Sequence, residues 1–402
     1  MGNIVHLLLC YLQTKFPLNK SAKTRKIIRM QSRKKVLMAC SNSWNSVFQV
    51  GSHHIAREFL NRGYEVAFVS DPISPLHLLK GSGLKKRFEL YQKGGVWDNH
   101  LWSYVPGAVI SPYNKPILRS EWVLQHWHQL TFPSVVKKVK ANGFEKVDIL
   151  YFDTPIQSFW LKNIQARKTV FRIADQNSGF KKTGPAIIRQ EKKLMKEVDL
   201  VVCTAKTLVD QVPGSVHLPN GVLISHFSKK SDLPKDLKNI SKPIAIYVGA
   251  IDYWFDFPLV RNLAKKLPHI SFVLIGPVKG NPFSGISNIF LLGPKEYDEI
   301  PNYLKSAQVG IIPFDVAGYP ELIEYVNPLK LYEYMACSLP VVATRWKELE
   351  NLNSPAYLAN SFEEFTEFLE KAIQNPTSQP REYAEKQDWS LRGAQLIELL
   401  KS

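Results

Sequence analysis

The stretch from Lys35 to Ser70 constrains the fold more than any other. Lys35-Val-Leu-Met-Ala-Cys40 is a short apolar run behind a basic cluster. It is apolar without alternation, as a strand buried on both faces of a parallel sheet is. A loop, Ser41–Val50, follows. From Ser52 to Asn61 the apolar residues Ile55, Ala56, Phe59 and Leu60 recur at helical spacing, and Arg62-Gly63 marks a helix end. Tyr64–Ser70 is the next apolar run. Strand, loop, helix, glycine, strand is the order of a βαβ unit.

The alternation continues. Asp148–Phe152, Thr169–Ile173 and Leu200–Cys203 read as further strands, separated by helical patterns. Between them Arg87–Leu130 is rich in Trp, Tyr, His and Pro and has no clean period. It is expected to form long loops and short helices over the sheet's ligand edge. A second set opens near Pro243. Ile244–Val248, Ser271–Ile275, Ile289–Leu292, Val309–Pro313 and Pro340–Ala343 read as strands. Val260–Leu267, Ile300–Ser306, Leu329–Met335 and Phe362–Gln374 read as helices. The 402 residues suit two α/β domains, since domains hold roughly 100–200 residues each. The expected division is an extension 1–33, a first Rossmann-like domain 34–215, a linker 216–242, a second Rossmann-like domain 243–378 and closing helices 379–402. Such sheets bind ligands at the carboxyl ends of their strands, so the two domains would face each other across a cleft.

The charge is lopsided. Residues 1–222 hold 33 Lys and Arg against 14 Asp and Glu, and the remainder 19 against 21. An excess confined to one half points to an anionic partner, nucleic acid or an acidic membrane face. No nucleic-acid motif accompanies it, so no nucleic acid is expected. Residues 1–35 carry nine Lys and Arg and no acid. Residues 1–33 read as a disordered basic extension, with Met30 an alternative start, or else as a short arm touching a membrane. The apolar stretch Ile4–Leu12 is shorter than the roughly 20 residues that span a bilayer and lacks signal-peptide flanks. Cys10, Cys40, Cys203 and Cys337 lie far apart, without CxxC spacing, and read as reduced thiols of a cytosolic protein.

The segment with the clearest chemistry is Asn327-Pro-Leu-Lys-Leu-Tyr-Glu-Tyr-Met-Ala-Cys-Ser-Leu-Pro-Val-Val-Ala-Thr344. Pro328 suits the first turn of a helix. Lys330 then lies where free backbone N–H groups already favour an anion, and is placed to neutralise a diphosphate. Glu333 follows one turn along the same face, where a carboxylate can accept from two ribose hydroxyls. On spacing alone the segment serves equally as a plain amphipathic helix with a solvated Lys and Glu.

This segment resembles the donor-binding helix of GT-B glycosyltransferases. Leu218-Pro-Asn-Gly-Val222 is similar to their interdomain linker, Tyr247-Val-Gly-Ala250 to the glycine-ended strand opening their donor domain, and Trp389-Ser390 to the start of their closing helix. Phe48-Gln-Val-Gly-Ser-His-His-Ile55, Phe59-Leu-Asn-Arg-Gly63 and Phe171-Arg-Ile-Ala-Asp175 resemble the inverting glucuronosyltransferase of xanthan-type exopolysaccharide synthesis, as does Ile187–Asp199. The resemblance implies a GT-B fold and transfer from a nucleotide sugar, a UDP-sugar first among candidates, to a lipid-linked or glycan acceptor. It implies a cytoplasmic enzyme, peripheral on the inner face of the plasma membrane. The donor would lie on Gly249, Ala250, Ile251, Phe314, Leu329, Lys330 and Glu333. Asp175 would be the general base, although Gln176 stands where the family has Gly, and a helix N-cap is the alternative reading of this Asp. His53 would act on the acceptor side. Gly51 would let its loop turn tightly, and Arg172 is open between binding an anion and pairing with a core carboxylate.

Absent motifs sharpen this. No Asp-x-Asp occurs, so a metal-independent enzyme using Lys330 and helix dipoles is expected, with no metal or other cofactor. Retaining GT-B enzymes often carry Glu-x7-Glu. Here Tyr325 stands eight positions before Glu333 and the nearest acid is Glu324, which favours inversion over retention. There is no G-x-G-x-x-G and no phosphate-binding Gly-Lys-Ser/Thr, which speaks against dinucleotide and ATP chemistry. A retaining transferase, a sugar epimerase and a non-catalytic or nucleic-acid-binding protein on the same scaffold are the alternatives. The first-half basic residues offered for docking on anionic lipid are Lys85, Lys86, Arg87, Lys137, Lys138, Lys181 and Lys182.

Overall fold

The computed structural model describes residues 33–75, 84–181, 183–229 and 232–401. The readings made for residues 1–32, including the Met30 start, and for Lys182 lie outside the described residues. Residues 34–402 form one compact unit.

Its first lobe is built on β1 (Lys35–Cys40), β2 (Glu65–Ser70), β3 (Val96–Asp98), β4 (Leu101–Tyr104), β5 (Lys146–Phe152), β6 (Gln165–Ile173), β7 (Leu200–Cys203) and β8 (Val216–His217). The spatial order is β3-β4-β2-β1-β5-β6-β7-β8, parallel except where β3 runs against β4. The second lobe holds β9 (Ile244–Val248), β10 (Ser271–Ile275), β11 (Ile289–Gly293), β12 (Val309–Ile312), β13 (Val341–Thr344) and β14 (Tyr357–Ala359), in the all-parallel order β11-β10-β9-β12-β13-β14. Residues 36–40 and 244–247 are buried throughout. That is why these runs show no polar alternation: helices cover both faces of the sheets.

The structure corrects the reading of Arg87–Leu130. Leu84–Gln92 is a helix, and β3 and β4 inside the stretch extend the first sheet beyond β2. Trp102 and Tyr104 on β4 are 1% exposed and stack on each other at 5.2 Å. The strand is aromatic and fully buried one place in from the edge strand β3, and neighbouring aromatic loops hide its short period.

The helices that position the site are α1 (Gly51–Asn61), α2 (Pro185–Glu197), α3 (Leu329–Ala336) and α4 (Trp389–Leu399). Helix α4 returns to the first lobe. Val222 N–H donates to Gln387 O and Trp389 N–H to Val222 O, each at 3.0 Å. The Trp389 ring then stacks on His54 of α1 at 5.0 Å. Linker and closing helix are thus clamped together beside α1.

Candidate active site

The carboxyl ends of the first sheet's strands and the start of α3 in the second lobe open into one cavity of about 650 Å³. The first lobe contributes Asn42 after β1, Asp71 after β2, Asp153 after β5 and Asp175 after β6; the second contributes Asn327, Leu329 and Lys330 at the start of α3.

On the second lobe Lys330 Nζ lies over two rings, 4.8 Å from the centre of Phe314 and 5.5 Å from Tyr247. Ring faces attract a cation at this range without neutralising it. Burial pulls the Lys330 ammonium down to about 8, against the opposing pull of Glu333 and then Asp175. Burial likewise pushes Glu333 up to about 7, and Lys330 holds it down. Each group thus favours the other's charged form. Phe314 and Ile251 are each 4% exposed and belong to the second lobe's core; with Gly249, Ala250 and Glu333 they stand behind Lys330 rather than among the residues lining the cavity. The backbone at Gly249 has φ +149, a region that favours glycine, and Tyr247 Oη donates to Ala250 O at 2.9 Å. A Cβ on Gly276, where φ is +147, would overlap the Gly249 carbonyl. Two glycines therefore let two strand ends approach each other under Lys330.

On the first lobe Asp175 lines the cavity two residues past β6, half-buried. Its charge reaches both Lys330 and Arg172. Arg172 resolves in favour of the core carboxylate. Its Nη1 donates to Asp153 Oδ1 at 2.8 Å, with the side chains 4% and 5% exposed. Burial alone would push the guanidinium down; Asp153 first, with Tyr151 and Asp175, more than reverses this.

Comparison with known proteins fits this geometry. Residues 38–204 match the family model described as Glucuronosyltransferase GumK, N-terminal domain, and residues 243–375 match Glycosyl transferases group 1. Both models are of glycosyltransferases, and in order they take in most of the first and second lobes. Among curated proteins, TuaH of Bacillus subtilis (strain 168), named for teichuronic acid biosynthesis glycosyltransfer, is 25% identical over 181 residues. That match spans 41% of this chain and 45% of TuaH, less than half of either. Among solved structures, sucrose-phosphate synthase from Thermosynechococcus elongatus superposes with TM-score 0.66 at 12% identity, covering 92% of this chain and 98% of that one. Anabaena HepE, solved in complex with UDP and glucose, gives TM-score 0.59 at 15% identity, covering 92% and 100%. These two likenesses show the fold.

Two expected residues of the glycosyltransferase sit differently from their expectation. His53 is not on the cleft wall. Val50 N–H donates to its Nδ1 at 3.2 Å, its Nε2 lies 3.0 Å from Ser43 O, and it is 0% exposed. Burial lowers it to about 4, so the ring is neutral and pins the 43–50 loop to α1. Gly51 is the first residue of α1 rather than a turn residue. A Cβ there would collide with the Arg172 guanidinium, so its smallness admits Arg172 to the cleft floor.

Sequence reasoning missed what joins the lobes. Arg172 Nη2 donates to Asn220 Oδ1 at 2.6 Å, and Asn220 Nδ2 donates to Asn327 O at 2.7 Å. Asn327 Nδ2 donates to Thr204 O at 2.9 Å, and Tyr332 Oη donates to Asn327 Oδ1 at 2.9 Å. Asn220 and Asn327 are 6% and 3% exposed. The chain of bonds runs from Arg172 on β6, the strand that leads to Asp175, through the linker, to the helix carrying Lys330. Its signal lay in plain view as the two Asn of Leu218-Pro-Asn-Gly and Asn327-Pro, where a buried amide can satisfy several partners at once.

Proposed function

We propose that this glycosyltransferase moves a sugar from a nucleoside-diphosphate sugar, a UDP-sugar, to a lipid-linked or glycan acceptor with inversion. Asp175 is the general base. It takes the acceptor hydroxyl's proton as that oxygen attacks the anomeric carbon. Lys330, with the N–H groups opening α3, compensates the charge that grows on the leaving diphosphate. Glu333 takes the ribose hydroxyls, and Gly249, Ala250 and Leu329 shape the nucleotide's bed. On this reading 34–215 is the acceptor domain and 243–378 the donor domain, with 379–402 closing the pair.

The observation that carries this reading is a carboxylate and an ammonium from opposite lobes lining one cavity, near enough for Asp175 to favour the charged form of Lys330. The reaction sketched needs no metal ion. Glu324 is engaged elsewhere: its Oε2 accepts from Lys347 N–H at 2.7 Å, which supports inversion over a retaining site built on it.

Acceptors on lipid carriers call for a membrane edge. Among the described residues no helix is long and apolar enough to cross a membrane. Val109, Ile117, Trp122 and Phe132 of the first lobe are 66%, 82%, 56% and 79% exposed. Basic Lys115, Arg119 and Lys137 belong to the same stretch of chain. This surface suits an anionic membrane better than the wider basic set does. Lys86 is paired with Glu296 of the second lobe at 2.7 Å, Lys181 lies over Tyr253 and Tyr319 of the second lobe, and Arg87 lines the cavity.

A thermal-shift screen of nucleoside diphosphates tests the donor. UDP at 100 times its dissociation constant should stabilise the fold by about 2.7 kcal/mol. No shift with any nucleoside diphosphate would remove the donor assignment. The anomeric configuration of the product, read by NMR, decides inversion against retention.

A further inference from the structure

Of the three cations lining the cavity among the described residues, Lys330 faces the donor and Arg172 is paired with Asp153, which leaves Arg87. It lies on the Leu84–Gln92 helix and lines the first-lobe side of the cleft, on the same wall as Asp71, Ser111 and Tyr113. Its Nη2 donates to Asp71 O at 2.6 Å, so backbone carbonyl oxygen holds the guanidinium in place. Its Nε is buried without a partner. Among the described residues it makes no ion pair, and the sequence outside them contains no Asp or Glu.

A guanidinium keeps its proton in proteins, so a largely covered one needs a counter-charge from somewhere. Asp71 is the nearest source. Its Oδ1, however, accepts from Gln157 Nε2 at 3.1 Å, and burial pushes its carboxyl up to about 7. Arg87 is among the groups that hold this carboxyl down, yet what Asp71 presents to the guanidinium at hydrogen-bond distance is its backbone oxygen. The other cavity carboxylates belong elsewhere, Asp153 to Arg172 and Asp175 to the reacting hydroxyl.

We propose that Arg87 anchors an oxyanion on the acceptor, so that the acceptor presents a carboxylate or phosphate group beside the hydroxyl it offers to Asp175. This rests on the glycosyltransferase reading above and names a property of its acceptor. The two sources share one chemistry. A uronic-acid residue brings a carboxylate and a lipid diphosphate brings phosphate oxygens.

The test is made on the full chain saturated with UDP, so that Lys330 is already engaged. Inorganic phosphate and D-glucuronate are titrated separately by calorimetry into wild type, Arg87→Gln and Arg87→Lys. The expected result is that at least one anion binds the wild type, binds Arg87→Gln at least tenfold more weakly, and regains part of that loss in Arg87→Lys. UDP affinity should stay within twofold in all three. Binding of phosphate alone points to the diphosphate, and binding of glucuronate alone to the sugar carboxylate. If the UDP-loaded wild type binds neither anion, or if Arg87→Gln binds both as wild type does, the proposal is overturned. Should Arg87→Gln fail to fold, Arg87→Lys decides: an unchanged affinity for both anions overturns it equally. A chain that binds phosphate but not UDP sinks the donor reading instead, which keeps the two failures apart.

Discussion

Replacing Arg172 by Met should expose what the buried pair contributes. In the folded protein Arg172 and Asp153 meet at 2.8 Å with side chains 4% and 5% exposed. The substitution leaves the Asp153 carboxylate without its cation, and Asn220 Oδ1 without its donor. Breaking a buried pair from one side costs about 3–5 kcal/mol, against about 1 kcal/mol at most for a surface pair. The cost must also depend on pH. Burial already raises Asp153, and Arg172 holds it down; in the variant nothing opposes burial. A carboxyl whose folded value lies above its unfolded value keeps its stability below the unfolded value, near 3.9, and loses it as pH rises through the folded one. The loss on substitution should therefore be large at pH 8 and smaller at pH 5, by up to about 1.4 kcal/mol for each pH unit below the variant's folded value. Urea unfolding followed by circular dichroism at both pH values measures it. Pairing Arg172→Met with Asp153→Leu should recover most of the loss. A loss under about 1 kcal/mol at pH 8, or one equal at both pH values, would refute the buried-pair reasoning.

Three further outcomes are expected. Gly276→Ala forces a methyl group into the Gly249 carbonyl at φ +147, so it should cost about 1–3 kcal/mol in a thermal melt and weaken UDP at least tenfold in titration. UDP affinity should be greatest between about pH 7 and about pH 8, because Glu333 must ionise to accept and Lys330 must keep its proton to attract. Glu333→Gln should abolish the acid limb of that profile and Lys330→Met the alkaline limb; profiles unchanged in both variants would contradict the assignment. Trp122→Ser with Phe132→Ser should cut co-sedimentation with phosphatidylglycerol vesicles several-fold at constant salt, and undiminished binding would remove this face from the membrane reading.

Much of the fold was legible because parallel strands buried on both faces announce themselves as bare apolar runs. Lys35–Cys40 and Ile244–Val248 show this, as does the helix opening at Leu329. The strands β3 and β4 were not legible, because a three-residue and a four-residue strand leave no period to detect among aromatic loops. The place of Lys330 on the cleft was readable because Asn327-Pro328 marks the helix start locally. The first-lobe side depends on long-range partners. His53 looks chemical until both its nitrogens are seen to be taken by Val50 and Ser43. Arg172 could not be assigned before Asp153, 19 residues away, was placed beside it. The Asn220–Asn327 link spans 107 residues of chain, and no local pattern encodes it.

The central claim is that Asp175 removes the acceptor proton while the second lobe holds the donor. Single-turnover transfer by Asp175→Asn, measured beside UDP affinity on the same preparation, addresses it most directly. Asparagine preserves shape and polarity but cannot accept a proton, so transfer should fall about 10²–10⁴-fold. UDP affinity should stay within a few-fold of wild type. Transfer within tenfold of wild type would contradict the assignment of the base, and a matching collapse of UDP affinity would place Asp175 in donor binding instead.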